Sequence, residues 1–257
     1  MSVAATGTAD DTVDLEQFFA VVAEDLALLS TLHEREPDGE LIQTLREIGF
    51  PRELGLRLCS KEALEAQRVV AAALAAMPGE PGPAVLDELA ADYASIYLTH
   101  RIKASPEESV WVHEEHLTHQ ESMFQVRAWY ARYGVGTPDW RIRPDDHLAL
   151  QLEFISLLLA GVKGRERLEE VARFMDEHLL RWLGDFSRRV ATRCATPYFA
   201  GVAMLTDRYC EELRDLLAGI LQQPRPSPQE IEERMNPRSG KAEPVPVKFV
   251  PGIGPAV

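Results

Sequence analysis

The chain has 257 residues, 46% of them hydrophobic, with 41 Asp and Glu against 27 Lys and Arg for a formal net charge of −14. That length buries a sizeable core, and so acidic a surface repels phosphate backbones, which excludes nucleic acid as a natural partner and favours basic segments instead. Three cysteines, Cys59, Cys194 and Cys210, form no CxxC pair and are odd in number, a usage that fits free thiols in a reducing compartment. No basic n-region opens the chain and no window of about 20 residues lacks charge, so neither a secretory signal nor a membrane span is expected, and the expected location is cytoplasmic.

Residues 1–12 are small and polar and read as a flexible N-terminal tail. From Val13 onward, Leu15, Phe18, Phe19, Val22, Leu26 and Leu29 recur at helical spacing until Pro37-Asp38-Gly39 breaks the pattern. A short helix is predicted over Glu40–Ile48, and another after the N-cap Ser60 through the alanine-rich run to Met77. The proline- and glycine-rich 78–83 stretch is a loop, followed by a helix over 84–100. Lys103–His119 reads as a loop and Gln120–Tyr133 as a helix stopped by Gly134. Pro144 and Asp145 open a helix with Leu148, Leu152, Ile155 and Leu159 on one stripe; Phe154 and Leu158 widen it, which places this helix at the centre of the core. Arg165–Arg193 is predicted as one long amphipathic helix bent near Gly184, and Tyr198–Leu221 as the last long helix. No segment alternates with period two. The expectation is an all-α, single helical-bundle domain over 13–223, with a Pro/Gly-rich extended tail over 224–257 that has one short helical stretch, Pro228–Met235.

Within the 103–119 loop, His113, Glu114, Glu115, His116 and His119 are the residue types of a zinc or iron site. A helical zinc site sets two histidines at i, i+4, as in HExxH, and that spacing occurs nowhere in the chain. Val110, Trp111 and Val112 follow Pro106 and argue that no helix has begun at His113, so the spacing carries no geometric information there. No metal site is expected. No GxGxxG, Walker lysine or GxSxG elbow stands in a suitable context, and no catalytic constellation is apparent.

Three segments remain: Tyr93-Ala-Ser-Ile96-Tyr97, Pro106-Glu107-Glu108-Ser109-Val110-Trp111, and Pro144-Asp145-Asp146-His147-Leu148, with His178, Leu179, Trp182, Phe186, Pro197, Tyr198 and Phe199 following. Their order and spacing over about Val13–Leu221 resemble the TorD/DmsD (NarJ-like) family of redox-enzyme maturation chaperones. The chain departs from that pattern after the first motif, where Tyr97-Leu-Thr-His-Arg replaces Phe-x-Gly-Pro, and at Gly184, where proline is frequent.

The resemblance implies a TorD-like bundle, no enzymatic activity and no cofactor. It implies a cytoplasmic chaperone that binds the immature catalytic subunit of a molybdopterin-containing oxidoreductase through its N-terminal leader, which is often twin-arginine. On that footing, Glu108, Asp145 and Asp146 are expected to pair with leader arginines, Tyr93, Ile96, Tyr97 and Trp111 to wall an apolar groove, and Ser109 and His147 to join the peptide site. Asp145 as an N-cap and Asp146 as a first-turn complement to the helix dipole are the structural readings of that pair. The alternatives are a metal-dependent helical enzyme using His113, His116 and His119, and a generic acidic adaptor. A homodimer by helix exchange is compatible with all three.

Overall fold

The computed structural model describes residues 9–236, with side chains from residue 15. Local signals set most helix starts. Helix α1 (Ala9–Glu34) buries Phe19, Val22, Leu26 and Leu29 completely. It begins before Val13, so part of the expected N-terminal tail is helical, and residues 1–8 lie outside the described residues. Asp38 caps α2 (Gly39–Glu47) by accepting the Leu41 N–H at 2.7 Å, and Ser60 caps α3 (Lys61–Ala76) by accepting that of Ala63. Pro83 opens α4 (Pro83–Tyr93), where its missing N–H is no loss. The helix widens into one π turn, Ala94–Leu98, closed by Thr99 N–H on the Ala94 carbonyl.

Short α5 (Ser109–Val112) interrupts the expected 103–119 loop and ends before His113. Helix α6 (Glu121–Arg132) stops at Gly134, whose φ of +68° suits glycine. Helix α7 (Leu148–Ala160) buries the expected stripe and lies along α1. The expected long helix over 165–193 is instead broken into α8 (Arg165–Glu177), a 3₁₀ turn at Leu179–Arg181, and α9 (Leu183–Arg193). The break lies at His178, not Gly184, because the backbone leaves helical geometry there (φ −124°, ψ −74°) and both His178 and Trp182 are buried.

Helix α10 (Pro197–Leu221) packs on α3 and α9 and reaches α8. A buried fork joins the last pair: Arg214 Nε and Nη2 donate to the two Asp176 oxygens at 2.8 and 2.7 Å. Together α1–α10 form one compact all-α unit ending at Arg225, whose guanidinium pairs with Glu211 and Asp215. A second unit begins at Pro226. Its α11 (Pro228–Met235) starts with a reciprocal capping box between Ser227 and Glu230; residues 237–257 of the expected tail lie outside the described residues. Among the described residues no helix is long and apolar enough to cross a membrane, and the lone β-bridge joins Glu107 to His147.

Two glycines of α10 should respond oppositely to alanine. A Cβ on Gly201 would lie 2.8 Å from Val70 Cγ2 and 2.9 Å from Val70 N, so Gly201→Ala should force α3 and α10 apart and lose roughly 1–3 kcal/mol. Exposed Gly219 has nothing within 4 Å of that position, and Gly219→Ala should gain about 0.5–1 kcal/mol. Urea unfolding of the two variants checks the sign of each.

Candidate functional site

The second and third motifs are one structure. Glu108 N–H donates to the Asp146 carbonyl at 3.2 Å and Leu148 N–H to the Pro106 carbonyl at 2.8 Å, which zips the 105–109 segment to the start of α7. Asp146 completes the joint with its side chain, where Oδ2 accepts Ser109 N–H at 2.8 Å and Ser109 Oγ–H at 2.5 Å. Ser109 Oγ also lies 3.1 Å from Ser122 Oγ on α6. The cap of α7 is His147, whose Nδ1 accepts the Ala149 N–H. Neither Asp145 nor Asp146 caps that helix or stands in its first turn, because both precede the cap and their carboxylates turn to other segments.

Glu108 is fully buried and has three donors around it. Gln151 Nε2 donates at 2.7 Å, His178 Nδ1 lies 3.2 Å from both carboxylate oxygens, and Arg181 is 3.9 Å away. Since a carboxylate only accepts, His178 carries its proton on Nδ1. The break after α8 therefore has a physical role: it turns a histidine inward onto a carboxylate that burial would otherwise leave without enough donors.

Asp145 is held just as firmly. Arg127 Nη2 lies 2.7 Å from its Oδ2, Thr137 Oγ–H donates to Oδ1 at 2.7 Å, and Tyr130 O–H donates to its carbonyl. The Arg127 guanidinium in turn lies 4.9 Å from the Trp140 ring and 5.3 Å from that of Phe124. Glu108, Asp145 and Asp146, the three carboxylates expected to meet an outside arginine, are all buried and each accepts from donors within the chain, while Asp146 Oδ1 has no hydrogen-bond partner.

The first motif is also interior. Tyr93, Ile96 and Tyr97 are buried, so they form core and not the wall of an open groove. Tyr93 O–H donates to the Glu34 carbonyl at 2.6 Å. Tyr97 is tied to His33 in a chain whose direction can be deduced. Thr206 gives its only hydroxyl proton to the Val202 carbonyl, so it accepts from His33 Nε2–H at 2.8 Å, and His33 Nδ1 accepts Tyr97 O–H at 2.7 Å.

Trp111 is different: it is half-exposed. Its Nε1–H is fixed on the Ser105 carbonyl at 2.8 Å, and its ring helps to line a hollow of about 540 Å³ with Val110, Leu117, Lys103 and Arg189. Asp146 and His147 do not line it; they act on it only through the joint that holds Ser109 and the turn carrying Trp111. The nearby histidines turn to separate partners: His113 to Ser122, His116 to the Val110 carbonyl, His119 to Thr118. Among the described residues no group of three or more His, Cys, Asp or Glu side chains is arranged to hold a metal. The residues that sequence reasoning missed, Arg127, Gln151 and Arg181, have no local signature; His178 was visible within a motif but not as the partner of Glu108.

Burial sets the protonation of the joint. It raises the Asp146 carboxyl to about 7, with Glu108 adding to the rise and the Ser109 hydrogen bonds opposing it. It lowers His147 to about 3, with Arg143 contributing, and lowers His33 to about 3. An Asp raised in the folded state binds a proton there before the unfolded chain does, so its contribution to stability increases as pH falls from about 7 towards 4. Asp146→Asn removes that dependence. Wild type should gain about 2 kcal/mol relative to the variant between pH 8 and pH 5, measured by urea unfolding at both values; parallel pH profiles would refute the buried, proton-binding carboxylate.

This geometry lies within a stretch that other proteins share. The family model described as nitrate reductase delta subunit matches residues 60–188. The chain is similar to Chaperone protein TorD of Vibrio vulnificus (strain YJ016), 30% identical over 140 residues that make up 51% of this chain and 65% of that one. It is also similar to the proteins of the same name from Vibrio cholerae serotype O1 (strain M66-2), 28% identical over 144 residues, 53% and 65% of the two chains, and from Photobacterium profundum, 25% identical over 134 residues, 48% and 61%. The chain thus spans just under two thirds of the length of the curated relatives it matches. With half of its residues under one family model and all three motifs inside that half, the chain belongs to the nitrate reductase delta subunit family, the TorD/NarJ-like redox-enzyme maturation chaperones that its motifs resemble.

Proposed function

We propose that this protein is a non-enzymatic, cytoplasmic, system-specific chaperone. Its client is the immature catalytic subunit of a molybdenum-cofactor oxidoreductase, which it holds by the N-terminal leader and keeps open for cofactor insertion. Family membership and relatives named as chaperones support this reading. The observation that carries it is the position of Trp111: of the nine residues expected at the peptide site, it is the one whose side chain is not buried. The other eight are scaffold. Glu108, Ser109, Asp146 and His147 tie the turn that leads to Trp111 to the start of α7, and the segment after it carries exposed Glu114, Glu115, Leu117 and Glu121. An arginine followed by an apolar run matches that surface, with guanidinium groups on the exposed carboxylates and apolar side chains on Leu117 and on Phe124, which is 47% exposed.

Co-purification from the native host, with mass spectrometry of the bound proteins, should recover a molybdopterin-containing catalytic subunit as the main partner; recovery of no such subunit would refute the client assignment. With that subunit in hand, Trp111→Ala should weaken its capture about tenfold while leaving the melting temperature within about 2 °C, since the residue lies at the edge of the core. Asp146→Ala should weaken capture only together with stability, by roughly 1–3 kcal/mol, because it strands the Ser109 donors. Capture unchanged by Trp111→Ala would remove the contact role from this face.

A further inference from the structure

The hollow beside Trp111 has the wrong charge for an arginine. In a chain of net charge −14, its rim is formed by Lys103, Arg189, His100 and His116, and no carboxylate lines it. The cations are uncompensated. Arg189 donates to the Lys103 carbonyl at 2.8 Å and Arg193, beside it, to the Ile102 carbonyl at 3.1 Å; neither they nor Lys103 enters an ion pair among the described residues. The Arg189 guanidinium lies 5.0 Å from the Trp111 ring, so one wall presents a cation and an aromatic face together. The floor and lip are apolar, with Val110 below and Leu117 at 59% exposure, and Leu98 stands 63% exposed two residues before His100. His100 Nδ1 is buried without a hydrogen-bond partner. Three of the lining residues, His100, Lys103 and His116, have positive φ (49°, 58° and 52°), a backbone state that non-glycine residues adopt at a cost of order 1 kcal/mol each and that surrounding structure must impose.

We infer that this hollow is a docking site for an acidic, leucine-bearing segment of a partner protein, whose carboxylates meet Lys103 and Arg189 while its apolar side chain enters beside Trp111. Charge complementarity selects the occupant: a basic leader segment is repelled here and belongs on the neighbouring carboxylates, whereas a stretch of alternating Asp or Glu and Leu satisfies both rim and floor. The chaperone thereby engages its client at two places of opposite sign. The inference rests on the reading that the Trp111 face meets the client, but peptides test it without reference to molybdenum.

The probe is a fluorescently labelled twelve-residue peptide alternating Leu with Asp and Glu, titrated by anisotropy against the full chain, with a Leu/Lys peptide and inorganic phosphate as comparisons. The acidic peptide should bind, and the Leu/Lys peptide should bind at least tenfold more weakly to the hollow, judged by competition. Lys103→Glu and Trp111→Ala should each weaken the acidic peptide about tenfold. Lys103→Glu is the decisive variant because the Lys103 ammonium supports no other part of the fold, whereas Arg189 also anchors the loop; a melting curve confirms folding. Absence of binding, or binding unaffected by Lys103→Glu, overturns the proposal. Displacement by millimolar phosphate as effective as by unlabelled peptide also overturns it, since the hollow would then be a plain anion patch.

Discussion

The Asp146 carboxylate, taken out of water and set on the backbone and hydroxyl of Ser109, is the interaction on which the rest of this molecule's functional face depends. It closes a joint between two segments 37 residues apart, at the base of the turn that carries Trp111. Trp111 is two residues beyond Ser109, and its indole is fixed by Ser105 on the near side of the same joint. The second buried carboxylate, Glu108, ties the joint to α7 through Gln151 and to the α8–α9 break through His178. Buried charge of this kind is a poor source of net stability, because desolvation offsets most of the attraction, yet removing one partner is severe. Such a network specifies one arrangement of loops, and a single arrangement is what a recognition surface needs.

A similar constraint explains the distribution of charge. The protein is strongly acidic, but the acids nearest the motifs are interior and matched one by one to internal donors: Asp146 to Ser109, Glu108 to His178, Asp145 to Arg127 and Thr137, Asp92 to the backbone of Ala195 and Thr196. Arginine recognition within the chain is real, and it is consumed by the chain's own arginines, as in the Arg214–Asp176 fork. What remains for a partner includes exposed Glu114, Glu115 and Glu121 in the segment after Trp111, and Lys103 and Arg189 lining the hollow beside its ring.

The legible features of the fold are those with local causes. Ser60 and Asp38 cap helices, Pro83 and Pro197 start them, Gly134 ends one, and the apolar stripe of α7 is central, all readable within a few residues. Features set by distant partners were not legible. The helix expected through 165–193 has good local periodicity, and it breaks because His178 and Trp182 turn inward, a requirement set by Glu108 some 70 residues earlier. Asp145 has an ordinary N-cap sequence context, yet its acceptors face Arg127 and Thr137, and the cap falls to His147. The motif residues themselves were conspicuous in the sequence, but burial decides between touching a ligand and holding a loop, and no spacing rule reports burial for Asp, Ser and His. The histidine-rich loop was ambiguous for the opposite reason: its residue types suggest a metal, while each ring there bonds a near neighbour.

The joint also sets how the protein meets pH. His33 and His147 are neutral when folded down to about 3, whereas a histidine in the unfolded chain charges near 6.5, so both withdraw stability as pH falls below that value. Asp146 acts the other way, withdrawing stability as pH rises towards 7. Two histidines outweigh one aspartate on the acid side, so these three groups together withdraw stability as pH falls below about 6. The two groups at the α7 cap, Asp146 and His147, are adjacent in sequence and opposite in sign. The Ser109 hydrogen bonds favour the ionised form of Asp146, so they are strongest where Asp146 has lost its proton and the neighbouring imidazole has not gained one. That condition ties the geometry of the Trp111 turn to conditions near neutrality.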